Sequence, residues 1–461
     1  MTVTLTMTAA QRKQLHSHLF PGDGCEAVAI LLCTRRAGER VHRLLVRKIV
    51  PVPYGDCPIR KPDLLQWSTD LLPPILEEAN REGWSVVKIH GHANAYRAFS
   101  PVDDDSDKEL FPSVAGWFDA DVPHGSVVLL EDGHLFGRTV SPDGIFSPIE
   151  RIMVVGDDVQ IDFDNGGPAR PLEAFTDRHA RAFGDATTRL LRRLTVAVVG
   201  VSGTGSPLIE MLFRLGVGRL LLIEPDFVNE ENLNRIVYAT RADIGRLKVD
   251  VVGDAIERAG LGTDVVRIPK YVSDRDVVEA IAEADFIFGC MDGAEGRNVL
   301  NRLATCYLLP YIDVGVKLLA DGSGTIDEVS TASHYLQPGL SSLGTRGVFT
   351  PDEVFADSMR RTNPEEYARR RRERYIVGVD ETRPAVISVN FFAASVAVND
   401  FLARLNDYRS DGNAPYSELR ASLSHMAFYP EPEKGPSPLA KYTGIGDIEP
   451  RLDMPELSRS R

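Results

Sequence analysis

Apolar positions along the chain fall into short runs and longer periodic stretches. The runs at 27–33, 44–50, 85–89, 126–130 and 152–155 have the length of strands. Segments near 9–19 and 74–82 carry helical spacing, and the second opens on a proline, which suits a first helical turn. These elements define a first domain over residues 1–164. Asn165-Gly-Gly-Pro168 reads as a linker, because it gathers turn formers between periodic segments. Beyond it the pattern changes. Strand-like runs at 195–199, 219–223, 265–268 and 286–290 alternate with helical stretches at 208–215 and 249–259. Such alternation predicts a parallel, doubly wound sheet, placed here in a second domain over 165–409. Residues 410–461 are rich in Pro and Gly with weak periodicity, and read as an extension that is extended or docked on the body. The fold class expected is α/β throughout, with no internal repeat.

Composition narrows the classes. The 461 residues are 43% hydrophobic and 26% charged, enough apolar material for more than one core. A net charge of -14 argues against nucleic-acid binding, which needs a basic surface. Five cysteines without a C-x-x-C pair suit a reducing compartment. The first residues lack the basic and apolar regions of a signal peptide, and no run reaches membrane-spanning length. The expectation is a cytoplasmic protein without a membrane partner.

The densest chemistry of the first domain lies at His90-Gly91-His92 and the residues after it. Two histidines at i and i+2 of a strand point to one face. A downstream Asp103 completes three ligands and leaves a fourth position for water, as in catalytic zinc sites. With Ser100, the pattern H-x-H-x7-S-x-x-D resembles the JAB/JAMM metalloprotease family. The resemblance implies zinc (Zn2+) on His90, His92 and Asp103, Ser100 as oxyanion stabiliser, and an upstream Glu as general base. Glu26, opening the first apolar strand, fits that base; Glu39, in a polar turn, fits it less well. His16, His18, His124 and His134 read as ordinary surface or core histidines.

In the second domain Gly200, Gly203 and Gly205 follow a strand and precede a helix. Glycines there allow a tight turn and close approach of phosphate to backbone. Glu224 ends the next strand, where an acidic residue binds ribose hydroxyls. Up to this point a dinucleotide enzyme and an ATP enzyme fit equally. The residues that follow separate them. Glu224-Pro-Asp226 leading to Asn232-Leu-Asn234-Arg235, then Asp243-Ile-Gly245-Arg-Leu-Lys248, then Asp292 ahead of Arg297, resemble the ThiF/MoeB-type ubiquitin-activating family. Asp177-Arg178-His179 resembles a further segment of it. The likeness covers roughly 176–319 closely and 383–405 more loosely. It implies a Rossmann-like domain that binds ATP and magnesium (Mg2+). Arg235 and Lys248 would neutralise phosphate charge, Asn232 would position phosphate oxygens, and Asp292 would hold magnesium. Glu224 and Asp226 stand at the family's D-x-D. Arg178 resembles an arginine that reaches the neighbouring protomer's ATP, which implies a homodimer.

Relatives that form a thioester carry a cysteine where this chain has none. Cys290 and Cys306 lie in apparent core elements. Ser341 and Ser342 occupy a Pro-Gly loop where cysteine stands in some relatives. They can be ordinary loop residues or form an oxyester, which needs an activating base. Otherwise the chain stops at the acyl-adenylate or passes the acyl group to a partner. The arginine run at 369–374 reads as a solvated helical face or a contact for an acidic partner.

The expected function is adenylation of the C-terminal glycine of a ubiquitin-like protein in a bacterial-type conjugation pathway. A zinc isopeptidase domain would process its precursor or remove its conjugates, and a conjugating enzyme would serve as acyl carrier. The alternatives are activation of a sulfur-carrier protein, and a scaffold in which one domain is catalytically silent.

Overall fold

The computed structural model describes residues 2–164, 172–321, 323–372 and 385–458. The linker read at 165–168 and the end of the arginine run at 373–374 lie outside the described residues. The chain forms two compact units, one of Met1–Ala169 with Thr443–Arg451, the other of Arg170–Tyr442 with Leu452–Arg461. The sequence-based boundaries put all of 410–461 apart. The structure distributes that stretch over both units instead.

The first unit opens with β1 (Thr2–Thr8) and α1 (Ala9–Leu19), whose Thr8 cap pairs reciprocally with Gln11. There follow β2 (Val28–Ala37), β3 (Val41–Pro51), the short hairpin β4 (Ile59–Lys61) and β5 (Leu64–Gln66), and α2 (Leu72–Glu82). Next come β6 (Ser85–His92), α3 (Pro101–Ala115), β7 (His124–Leu130), β8 (Leu135–Val140), β9 (Phe146–Pro148), β10 (Arg151–Val155) and β11 (Val159–Phe163). Nine of these strands make one mixed sheet in the order β11-β10-β1-β3-β2-β6-β7-β8-β9.

Both faces of that sheet are covered. Ala29, Leu31 and Cys33 of β2 join α1's Leu15 and Leu19 in one core. Ile30 and Leu32 join Leu76 and Ala79 of α2 and Phe111 and Val114 of α3 in the other. Burial on two sides is why β2 reads as an unbroken apolar run rather than an alternation. The same parity sorts β6. Val87 and Ile89 enter the α1 core, so the even positions Lys88, His90 and His92 face the α3 side.

The second unit holds α4 (Asp177–Arg193), β12 (Thr195–Val199), α5 (Gly205–Arg214), β13 (Arg219–Ile223), α6 (Lys248–Ala259), β14 (Asp264–Ile268), α7 (Arg275–Ile281), β15 (Phe286–Gly289) and α8 (Ala294–Cys306). It continues with β16 (Tyr311–Ala320), β17 (Ile326–Leu336), α9 (Pro351–Thr362), α10 (Pro364–Arg372), α11 (Ile387–Leu405), β18 (Glu418–Ser422) and β19 (Ala427–Glu431). The sheet order is β14-β13-β12-β15-β16-β17-β18-β19. Strands β14 to β16 run parallel and form the doubly wound part. The last three strands are antiparallel, so the sheet is mixed rather than wholly parallel. The strand order reverses between β12 and β15, and ligands of such sheets bind where the order reverses, at the carboxyl ends of the strands. Among the described residues, no helix is long and apolar enough to cross a membrane.

Candidate functional sites

In the first unit the strand that carries His90 and His92 runs on through both, so both rings leave one face of β6. Opposite them Ser100 caps α3 and Pro101 sets its first turn. That start aims Asp103 at the histidines. His90 Nε2 stands 2.9 Å from Asp103 Oδ1 and His92 Nε2 3.4 Å from Asp103 Oδ2. The two Nε2 atoms are 3.1 Å apart. One ligand atom from each residue falls within 4.8 Å of the others. Two imidazole nitrogens sharing a tetrahedral zinc at about 2.0–2.1 Å each lie roughly 3.3 Å apart, so the donors fit that ion. His92 Nδ1 meets the Tyr96 carbonyl at 2.8 Å, which fixes the ring and leaves Nε2 as its ligand atom.

Glu26 lies two residues ahead of β2. Val28 pairs with His90, and Gly91 N donates to Ala27 O, so continuing the ladder brings Glu26 level with His92. The β4–β5 hairpin pins its backbone: Glu26 N donates to Lys61 O at 3.0 Å, and Arg60 Nε donates to Glu26 O at 3.0 Å. Glu26, Lys88, His90, Ser100 and Asp103 line one cleft, whose apolar wall comes from Leu64, Leu65 and Trp67. Burial pushes the Glu26 carboxyl up to about 7, with the His92 charge opposing and Asp103 and Asp63 adding. Burial lowers His90. His92 is raised despite its burial, because Asp103 and the Tyr96 carbonyl favour its charged form.

Ser100 and Glu39 complete the set of candidates in this unit. Ser100 Oγ donates its one proton to Asp103 Oδ2 at 2.7 Å and accepts from Asp103 N at 3.1 Å. In this arrangement the hydroxyl orients the aspartate. Glu39 is exposed in the β2–β3 turn, at the far end of a ten-residue strand and so roughly 30 Å from Glu26. It takes no part in the cleft. His16, His18, His124 and His134 bond backbone groups or Asp162, as ordinary histidines do.

In the second unit the glycine turn is packed backbone against backbone. Gly200 has φ +96°, and a Cβ there would lie 2.5 Å from Cys290 O. A Cβ on Gly205 would lie 1.8 Å from Gly200 O, and one on Gly203 would meet Asn390 Nδ2 at 2.5 Å and Arg235 Cδ at 3.0 Å. Only glycine lets α5 start this close to the end of β12.

Glu224, at the end of β13, accepts from Val201 N of that turn at 3.1 Å and from Asp226 N at 3.3 Å. Lys248, buried at the start of α6, reaches Asp226 Oδ2 at 3.1 Å and Glu224 Oε1 at 3.7 Å. Burial raises the Glu224 carboxyl, against the pull of Lys248. Arg235 Nη1 donates to Glu231 O at 2.7 Å and to Asn234 Oδ1 at 3.1 Å. Asn232 is buried, and its Oδ1 accepts from Asn229 N in a short capping turn. The asparagine thus shapes the loop that presents Arg235. Asp292 is exposed on the loop after β15, two residues past the Cys290 carbonyl that Gly200 abuts.

The structure thus gathers Gly200, Gly203, Gly205, Glu224, Asp226, Asn232, Arg235 and Lys248 around one end of β12 and β13. Arg178 is exposed on α4, and no hydrogen bond or ion pair among the described residues joins it to this group. Ser341 and Ser342 belong elsewhere. Ser341 Oγ accepts from Arg346 Nε at 2.8 Å, and Ser342 Oγ pairs with Thr345. A guanidinium takes no proton, and no base meets either hydroxyl among the described residues. Both serines build the loop, as the ordinary-loop alternative has it, and nothing here supports the oxyester. Cys290 and Cys306 are free thiols, and burial pushes the Cys290 thiol up, away from nucleophilic use.

Sequence reasoning missed Asn390, Asp313, Tyr311 and Lys88 as neighbours of these sites. Asn390 on α11 packs on Gly203, a tertiary contact without a local signal. Arg297 Nε donates to the buried Asp313 Oδ1 at 3.1 Å, and Tyr311 Oη donates to the same oxygen at 2.7 Å, beside the loop that carries Asp292. Lys88 could have been found, since it shares the parity of His90 and His92.

Comparison with known proteins gives one family and several partial relatives. The adenylyltransferase and sulfurtransferase UBA4 of Meyerozyma guilliermondii is 28% identical over 131 residues, 28% of this chain and 31% of that protein. The molybdopterin-synthase adenylyltransferase of Escherichia coli is 28% identical over 146 residues, 32% of this chain and 58% of its own length. The tRNA threonylcarbamoyladenosine dehydratase of Bacillus subtilis is 35% identical over 97 residues, 21% and 38% of the two chains. The matched stretches therefore span between 31% and 58% of these relatives. Among solved structures, Escherichia coli MccB with ATP matches at 18% identity and a TM-score of 0.44, over 60% of this chain and 76% of that one. The model of the ThiF family matches residues 176–414, just over half of the chain, and the chain belongs to the ThiF family.

Proposed function

We propose that the second unit adenylates the C-terminal glycine of a ubiquitin-like or sulfur-carrier protein, and that the first unit is a zinc peptidase acting on the same tail. The observation that carries the first half is the convergence of the glycine turn, Glu224, Arg235 and Lys248 at the reversal of strand order. Two of the relatives are named as adenylyltransferases. In this reaction a carboxylate oxygen of the carrier attacks the α-phosphorus, the bond to the β-phosphate oxygen breaks, and pyrophosphate leaves. The turn amides receive phosphate and Glu224 takes the ribose. Lys248, held by Asp226 and Glu224, exchanges those partners for phosphate oxygens, and Arg235 adds a second cation. Magnesium on Asp292 would neutralise the leaving pyrophosphate. Arg178 serves the partner protomer of a homodimer. With both serines built into a loop, the acyl group leaves to a nucleophile on a partner, either a conjugating enzyme or a sulfur donor.

In the first unit zinc on His90, His92 and Asp103 would supply a Lewis acid. Glu26, with a carboxyl near neutrality, takes a proton from the attacking water and returns it to the leaving amine. The Leu64, Leu65 and Trp67 wall seats an apolar part of the tail.

The test is ATP–pyrophosphate exchange with small proteins ending in Gly-Gly, together with metal analysis of the purified chain. Exchange that requires the carrier and is lost in Lys248→Ala supports the first half. Stoichiometric zinc, lost in His92→Ala, supports the second. A chain that neither exchanges with any such protein nor binds zinc overturns both in favour of a binding scaffold.

A further inference from the structure

One buried ionic group of the first unit has no part in the chemistry above. Lys88 precedes His90 by two residues on β6, so it leaves the same face, and it lines the same cleft. Asp107 follows Asp103 by four on α3, so it lies on the same helix face one turn on. The two pairs run side by side. Asp103 Oδ1 meets His90 Nε2 at 2.9 Å, and Asp107 Oδ1 meets Lys88 Nζ at 2.5 Å. Arg138 of β8 holds the other oxygen of Asp107 through Nε at 3.0 Å and Nη2 at 2.7 Å, and also pairs with Asp104. The Arg138 guanidinium lies 3.8 Å and 3.7 Å from the ring centres of Phe99 and Phe146. Asp107 is 0% exposed and Lys88 4%.

Placing these charges in a core is costly, and an apolar pair of the same size would serve stability as well or better. What an ion pair adds is geometry, since it has one register. The need for it is visible in α3. The face turned to the sheet carries Asp103, Asp107, Phe111 and Val114. Apolar packing against the sheet core therefore begins only at Leu110 and Phe111, about three turns in. The first two turns, which carry the ligand, are tied to the sheet by polar contacts. We infer that Lys88 and Asp107 are positioning residues for the metal cradle, an ion pair that fixes α3 in register with β6 so that Asp103 meets both histidines. This rests on the reading of His90, His92 and Asp103 as metal ligands.

The two residues carry opposite charge, which gives the test its discrimination. Lys88→Met makes the surroundings of the cradle more negative and Asp107→Asn makes them more positive. A purely electrostatic effect on a cation would move zinc affinity in opposite directions, and the double variant would return near the wild type. Loss of positioning weakens zinc in all three. The measurement is the zinc dissociation constant of the full chain by chelator competition, with metal-free melting and nucleotide binding as checks on folding. The expected result is a 10–100-fold loss in each variant, the range seen when groups that orient ligands are removed. Lys88→Met leaves Asp107 paired with Arg138, so it decides the matter even if Asp107→Asn fails to fold. Affinities equal to the wild type, or tighter binding by Lys88→Met, overturn the inference. A wild-type chain that binds no zinc overturns the metal reading itself.

Discussion

Glu26 owes its chemistry to its place. A carboxyl that keeps its proton up to about 7 in the fold, against 4.5 when free, binds more protons folded than unfolded across that interval. The Glu26 contribution to the stability of the metal-free first unit therefore falls as pH rises from about 4.5 to 7, by up to about 1.4 kcal/mol per pH unit and about 3 kcal/mol at most, while His42 and His124, lowered by burial to about 4, act in the opposite direction. Chemical denaturation in chelator at pH 5 and pH 7.5 measures this. Glu26→Gln, neutral at both, removes only the Glu26 contribution, so the variant is expected to gain stability relative to the wild type on going from pH 5 to pH 7.5, and an unchanged difference between the two proteins would refute the burial argument. At this scale the sequence was most legible where spacing alone sets direction. His90 and His92 needed only strand parity, and the glycines only a turn. Ser100 was visible as part of the pattern, but a string of letters does not show that its hydroxyl proton is given to Asp103. Lys88 was passed over as one cation in an apolar strand.

Elements were legible where their periodicity was local. The runs that became β2, β6, β7, β12, β13 and β15 are buried on both faces and read as continuous apolar stretches. Strands that exist through pairing were not. β18 and β19 lie in a stretch that reads as an irregular tail, and they form because Thr331 and Ser333 of β17 offer a ladder to Ala421 and Leu419. Similarly, α3 has an acidic first turn and an internal Pro112, and stands because its cap and its ion pairs hold it. The Ser341–Ser342 loop is the instructive case. Its likeness to a cysteine-bearing loop of some relatives left an oxyester open beside an ordinary loop, and its buried hydrogen bonds make it a brace between Arg346 and Glu433. Ser341→Ala is expected to leave carrier-dependent pyrophosphate exchange within about twofold of the wild type. It should lower stability by about 1.5–3 kcal/mol, as when a charged donor loses its partner. A carrier adduct on Ser341, resistant to thiol and cleaved by hydroxylamine, would restore the acyl-acceptor reading.

For the whole molecule, the end of the chain is not a separate appendage. Residues 443–451 belong to the first unit, where β6 begins too late to pair with the last residues of β2. Asp447 N donates to Arg35 O at 2.8 Å, Ala37 N to Asp447 Oδ2 at 3.1 Å, and Thr34 Oγ1 to Gly444 O at 2.5 Å. Gly446 makes this approach possible, since its φ is +58° and a Cβ would stand 2.5 Å from Arg35 O. A unit built from Met1–Ala169 with Thr443–Arg451 and a unit built from Arg170–Tyr442 with Leu452–Arg461 should respond to different ligands. Zinc at 100 times its dissociation constant should stabilise the first by about 2.7 kcal/mol, and MgATP at the same excess should stabilise the second by the same amount. Gly446→Ala imposes both a strained backbone and a clash, so it should cost the first unit about 1–3 kcal/mol. Differential scanning calorimetry with each ligand in turn separates the transitions. The variant is expected to lower the zinc-responsive transition and leave the MgATP-responsive one in place. If it lowers the MgATP-responsive transition instead, the closing segment stabilises the nucleotide-binding unit and its assignment to the first unit is wrong.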